Sequence, residues 1–91
     1  MRSGAIWCVM IPDPSMSVPH VAFAIGRVHG SAVTRNRLRR QLRELLRNVS
    51  DRLIPGLYLI GFTPFEQGKQ PDFARLSASV SGLVDRLEPP R

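Results

Sequence analysis

Residues 5 to 11, Ala-Ile-Trp-Cys-Val-Met-Ile, form a continuous apolar run closed by Pro12 and Pro14, the pattern of a buried strand that ends in a turn. A loop follows as far as Pro19. From Val21 to Gly26 the period becomes two, with Val21, Phe23 and Ile25 on one face and Ala22, Ala24 and Gly26 on the other. The large face is expected to meet a core. The small face either lies under a helix or lets another backbone or a ligand come close.

After Arg27-Val28-His29-Gly30 the spacing becomes helical, over about residues 31 to 49, and Ser31 is placed to cap the helix. Leu38, Leu42, Leu45 and Val49 recur at helical intervals, and Leu46 widens the stripe to what a core-packed helix needs. At about 100° per residue, Asn36, Arg39, Arg40, Arg43 and Arg47 share an arc away from that stripe. Arg35 falls nearer the apolar edge, and Arg37 lies on the other flank beside Glu44. Pro55-Gly56 stops this region, and residues 57 to 62 read as a third strand. Beyond a polar loop, Asp72 can cap a last helix whose inner face carries Phe73, Leu76, Val80, Leu83, Val84 and Leu87, ended by Pro89-Pro90. The order strand, strand, helix, strand, helix predicts an α+β fold, a small sheet packed by two helices with a βαβ crossover around the first. If its two strands are parallel neighbours, the general rule makes that crossover right-handed.

Length and charge change the picture in one respect. Ninety-one residues allow one small domain, with residues 1–4 and 88–91 expected to be loose ends. Thirteen Lys+Arg against seven Asp+Glu give a net charge of +6. The stretch from Arg27 to Arg52 holds eight arginines against Glu44 and Asp51, so it carries the whole excess while the remainder balances. A segment that basic has an anionic partner as its default explanation. At 43% hydrophobic the chain is too apolar for a disordered basic tail. Its one cysteine, Cys8, permits no internal disulfide, and with His20 and His29 it offers no zinc spacing. No apolar run approaches the length of a bilayer span and no signal pattern opens the chain, so a cytoplasmic protein is expected, without a membrane.

Catalytic chemistry is hard to assemble from these residues. No serine, cysteine or lysine stands in a motif with a general base, no glycine-rich phosphate loop follows a strand, and the carboxylates are scattered. His29 reads as a loop or partly buried histidine, and Cys8 as a core residue. The arginines suit binding better, because a guanidinium grips phosphate in two places, stays charged and stacks on bases. A solvated helix face usually mixes signs, whereas here like charges repeat at i, i+4. Asn36, between Arg35 and Arg37, can donate and accept, so it can fix a base edge, a ribose hydroxyl or a metal-bound water. Together these features predict a single domain over residues 1–91 that binds a polyanion.

The segment Val21-Ala-Phe-Ala-Ile-Gly-Arg-Val-His-Gly-Ser-Ala-Val-Thr-Arg-Asn-Arg-Leu-Arg-Arg-Gln-Leu-Arg-Glu44 resembles the signature of the bacterial ribonuclease P protein subunit. In that signature Gly30, Ala32 and Val33 precede the triplet Arg35-Asn36-Arg37, followed by Arg39, Arg40, Arg43 and Glu44. The resemblance is tight over about residues 21 to 47, and looser beyond. It implies an accessory role: the RNA subunit is the ribozyme that removes the 5′ leader from precursor tRNA with Mg2+, and the protein aids binding of substrate and metals. It implies as partners the ribonuclease P RNA and precursor tRNA, with no obligate protein partner, and metal held through the RNA. Arg27, Arg35, Asn36, Arg37, Arg39, Arg40 and Arg43 are implied to contact the RNA subunit or lie near its metal-bearing site, and Arg47 extends the same arc. A left-handed crossover around the basic helix is also implied. Family members begin with a helix bearing a Phe-rich motif that walls the leader cleft, and this sequence starts after it. It departs from the family too at Val28 and His29, where a second basic residue and an apolar one are usual. The runner-up is a structural rRNA-binding protein of ribosomal type. A helix-turn-helix DNA reader fits less well, since no short helix precedes the basic one.

Overall fold

Two amphipathic helices need one apolar surface to bury their stripes, and a short mixed sheet supplies it. A computed structural model describes residues 1–66 and 68–87. The elements are β1 (Arg2–Ser3), β2 (Ile6–Pro12), β3 (Pro19–Ala24), α1 (Ala32–Arg47), β4 (Gly56–Phe62) and α2 (Phe73–Leu87), with 3-10 turns at Arg27–His29 and Ser50–Arg52. The sheet order is β1-β2-β4-β3. β4 runs antiparallel to β2, from Ile6 opposite Phe62 to Pro12 opposite Gly56, and parallel to β3, from Pro19 opposite Gly56 to Ala24 opposite Gly61. The two strands joined by the basic helix are therefore parallel neighbours, as the α+β reading anticipated.

Strand alternation sorts the side chains cleanly. Ile6, Cys8, Tyr58, Ile60 and Phe62 point into one core with Ile25, Leu38, Leu42 and Leu46, and with Leu76, Val80, Leu83 and Val84 of α2. Both helices thus lie on the same face. Burial pushes the Cys8 thiol above its ordinary pKa, outweighing the nearby amino terminus, so this cysteine is a packing residue as expected.

Four expectations need correction. The first strand is buried on one face only: Val9 and Ile11 are exposed, because no helix covers the other side of the sheet. The second strand begins at Pro19 and ends at Ala24, so Ile25 and Gly26 leave the sheet to enter the 3-10 turn. The basic helix ends at Arg47, where the N–H of Asn48 is taken by the Glu44 and Leu46 carbonyls, and Val49 leads into the second 3-10 turn. Residues 1–4 are no loose end: β1 pairs with β2, Arg2 opposite Trp7 and Ser3 opposite Ile6. Residues 88–91, also expected to be loose, lie outside the described residues.

What fastens the amino terminus is Ser79, a serine of α2 that stands outside the apolar stripe read from its sequence. Ser79 is 3% exposed, and its Oγ accepts from the Ala5 N–H at 2.9 Å while donating to the Arg75 carbonyl at 2.8 Å. The Ser3 hydroxyl donates to the Ser79 carbonyl at 2.7 Å, and the Arg86 guanidinium donates to the Arg2 carbonyl. Replacing Ser79 by Ala strands a buried amide, and the expected loss is about 1–3 kcal/mol. In urea this reads as a lower midpoint at unchanged m-value; an unaltered midpoint would mean that water or another acceptor serves Ala5.

Candidate nucleic-acid interface

The basic helix is aimed by the turn before it. In the Arg27–His29 turn, the His29 N–H donates to the Gly26 carbonyl at 3.0 Å and the Gly30 N–H to the Arg27 carbonyl at 3.1 Å. Gly30 then adopts φ 113° and ψ −166°, a region essentially closed to residues with a side chain. A Cβ there would lie 3.2 Å from the Thr34 methyl. Ser31 caps as its position predicted, its Oγ accepting from the Thr34 N–H at 3.2 Å and its carbonyl from the Arg35 N–H at 2.9 Å.

Along α1 the arginines fall into three settings. Asn36 and Arg40 are exposed and Arg39 half-buried, and these three form the crest. There Arg39 Nη1 donates to Asn36 Oδ1 at 3.0 Å, leaving the amide NH2 of Asn36 to point at a partner. Arg43 and Arg47 border a groove of about 270 Å³ against β3, lined also by Val21, Phe23 and Leu46. The Arg43 guanidinium lies 6.0 Å from the centre of the Phe23 ring, within cation–π reach. Arg37 sits on the opposite flank, where a groove of about 400 Å³ separates α1 from Gln70, Pro71 and Asp72. Arg35 is half-buried with an unpartnered Nε, in keeping with its place near the apolar edge. Arg27 stands apart from the helix row, at the rim of a cavity at the helix start.

None of these α1 arginines pairs with a carboxylate among the described residues, where the ion pairs are Arg52–Asp85 at 2.7 Å and Lys69–Glu66 at 3.1 Å. Arg35, Arg39, Arg43 and Arg47 follow one another at i, i+4, and each like-charged pair costs a few tenths of a kcal/mol in the free protein. A polyanion laid along the crest relieves that cost and releases its own counterions. Among the described residues no three His, Cys, Asp or Glu side chains come together. The neighbours of Asn36 are guanidiniums, a donor set that suits an anion and not a cation. No described helix is long and apolar enough to cross a membrane.

Several site residues escaped sequence reasoning. Phe65 and Gln70, in a loop with no periodicity, line the cavity beside Arg27. The uncovered face of the sheet presents Val9, Ile11, Leu57 and Leu59, around a shallow depression of about 320 Å³. At one end of that face the Trp7 indole lies across Gly61, where any Cβ would collide with the ring, and its Nε1–H donates to the Phe62 carbonyl at 3.2 Å. The apolar run at 5 to 11 was the available signal, but it does not tell a strand buried on both faces from one left half bare.

Comparison with known proteins bears on the family and on the fold. The family model described as Ribonuclease P matches residues 3–88. The chain is 36% identical over 61 residues to the "Ribonuclease P protein component" of Xylella fastidiosa strain 9a5c, covering 67% of this chain and 44% of the relative. It is 33% identical over 69 residues to the protein of the same description from Clostridioides difficile strain 630, covering 75% and 60%. The chain therefore spans about half the length of the curated relatives it matches. The solved structure of the Staphylococcus aureus RNase P protein superposes with a TM-score of 0.81 at 12% identity, over 98% of this chain and 82% of that one, which establishes a common fold. A mutant of that protein with defective mRNA degradation activity superposes at 0.76 over 90% and 68%.

The geometry at Gly30 has a measurable cost attached. Gly30→Ala is expected to destabilise the protein by about 1–3 kcal/mol, since the new side chain must enter a forbidden region and press on Thr34. Thermal unfolding followed by circular dichroism checks this, and a midpoint within a degree of the parent's would show that the turn reshapes freely.

Proposed function

The chain belongs to the ribonuclease P protein family, matched over residues 3–88, and on that premise we propose that it is the accessory RNA-binding subunit of a ribonuclease P. In this reading a catalytic RNA removes the 5′ leader from precursor tRNA, and the protein supplies binding energy and positive charge. The observation that carries the reading is the α1 crest, a row of arginines without carboxylate partners among the described residues and with Asn36 held in its midst by Arg39. Arg39, Arg40, Arg43 and Arg47 track a phosphate backbone, while Asn36 offers its free NH2 to a base edge or ribose oxygen. Arg37 and Arg35 flank the row, and Arg27 meets RNA at the helix start. Mg2+ belongs to the RNA subunit, because the side chains around Asn36 repel a cation. The protein's part toward the metal is to draw RNA strands together, so that less Mg2+ is needed to screen their repulsion. A cytoplasmic location follows from those partners. The family match gives no support to a ribosomal role.

Two measurements test the proposal. Added to a matched ribonuclease P RNA at low Mg2+, the protein is expected to raise the rate of precursor tRNA cleavage several-fold, with the gain shrinking as Mg2+ rises; no gain from a folded sample rejects it. Arg39→Ala or Arg43→Ala should weaken RNA binding and flatten the plot of log affinity against log salt by about one unit for each phosphate no longer neutralised. An unchanged slope assigns that residue to a solvated face.

A further inference from the structure

The cavity at the start of α1 is unlike the rest of the basic surface. It encloses about 480 Å³ between the Arg27–His29 turn, Ser31, Thr34 and the loop residues Phe65 and Gln70. One wall is aromatic: the His29 ring lies 5.7 Å from that of Phe62 and 5.5 Å from that of Phe65, and the two phenyl rings meet edge to face at 6.2 Å. The rim is cationic, since the Arg27 side chain is exposed and has no partner among the described residues. The far end is the amino terminus of a 16-residue helix without an acidic residue in its first turn. Ser31 uses the amides of Thr34 and Arg35, which leaves those of Ala32 and Val33 without an intrahelical acceptor.

His29 adds an observation independent of the helix end. Its Nδ1 is shut away from solvent with no hydrogen-bond partner, whereas Nε2 is not among the buried unpaired atoms. A buried N–H without an acceptor costs more than a bare lone pair, so the neutral ring carries its proton on Nε2. The side chain then offers one N–H donor from an aromatic wall. Gln70, exposed at the cavity, can both donate and accept. An aromatic wall whose His29 and Phe65 rings are tilted by 44°, a single donor, an adaptable amide and a cation beside a helix amino terminus supply what a nucleotide requires: a ring face to stack on, groups for the base edge, and a seat for phosphate.

We propose that this cavity receives one unstacked nucleotide of the bound RNA, its base lying against the His29–Phe65 wall and its phosphate between Arg27 and the start of α1. The site rests on the RNA-binding reading of the arginine crest and deepens it: the crest grips backbone whatever its sequence, and the cavity fixes where along the strand the protein sits.

Amide and side-chain NMR of the uniformly labelled wild-type protein, titrated with 5′-AMP, 5′-UMP, uridine and inorganic phosphate, tests this without a variant. The mononucleotides are expected to shift Arg27, His29, Gly30, Ser31 and Phe65 together, with at least one of them saturating several-fold below both uridine and phosphate. Equal saturation by phosphate alone would reduce the cavity to an anion seat and overturn the proposal. So would nucleotide shifts confined to the crest. In parallel, His29→Leu and Phe65→Ala should each lower affinity for ribonuclease P RNA by roughly tenfold while leaving the salt slope unaltered, in contrast to Arg39→Ala. Full affinity in both variants overturns the nucleotide pocket and leaves the crest reading intact. Failure of the wild-type protein to bind the RNA at all overturns the crest reading first, and the pocket with it.

Discussion

Everything on the functional surface depends on the seating of α1 by three leucines. Leu38, Leu42 and Leu46 are essentially excluded from water, and each contributes about 1.5–3 kcal/mol by burial. Against that stands the repulsion among the arginines, a few tenths of a kcal/mol per neighbouring pair. The hydrophobic term wins by a wide margin, so the helix can carry charge that would otherwise disfavour it. The repulsion is then available at the surface, where a phosphate strand cancels it. Arg43 shows the two faces touching: it reaches over Phe23, itself packed against the core, while remaining exposed.

The sheet follows a second rule, that strands bury what helices cover. α1 and α2 both settle on the side of Cys8, Tyr58 and Ile60, and the alternate residues of the same strands are left outward. β1 is only two residues long, yet it connects this scheme to α2, because Ser79 completes the bonding of the turn between β1 and β2. A buried serine here acts as a splice between helix and strand, more than as a surface residue of an amphipathic helix.

The legible parts of the sequence were those with a period. Val21, Phe23 and Ile25 alternate toward the core, the leucine stripe located α1, and Ser31 capped it; the arginine arc then followed from helix geometry alone. Asp72 likewise accepts from the Arg75 N–H at 2.8 Å, as a capping residue should. What could not be read depends on chain segments far apart in sequence. Ser79 stands outside the apolar stripe of α2, and only the approach of Ala5, far away in sequence, makes it a buried partner. Residues 5 to 11 looked enclosed because an apolar run does not reveal how many layers surround it. Phe65 and Gln70 carry no local pattern, and only the fold brings them beside Arg27 and His29. The resemblance to ribonuclease P proteins located the triplet Arg35-Asn36-Arg37, but not the division of its neighbours between an open crest and two grooves.

The packing of Trp7 on Gly61 gives the molecule an internal optical label. Trp7 is the protein's single tryptophan, half-buried on the uncovered side of the sheet and held by its bond to the Phe62 carbonyl. Its indole has one flat side closed by glycine backbone, so its emission colour is set by what stands over the other. The helix crest lies across the core from it. Light from this one residue therefore distinguishes events on the bare sheet from events on the arginines, within the same sample and without any added dye.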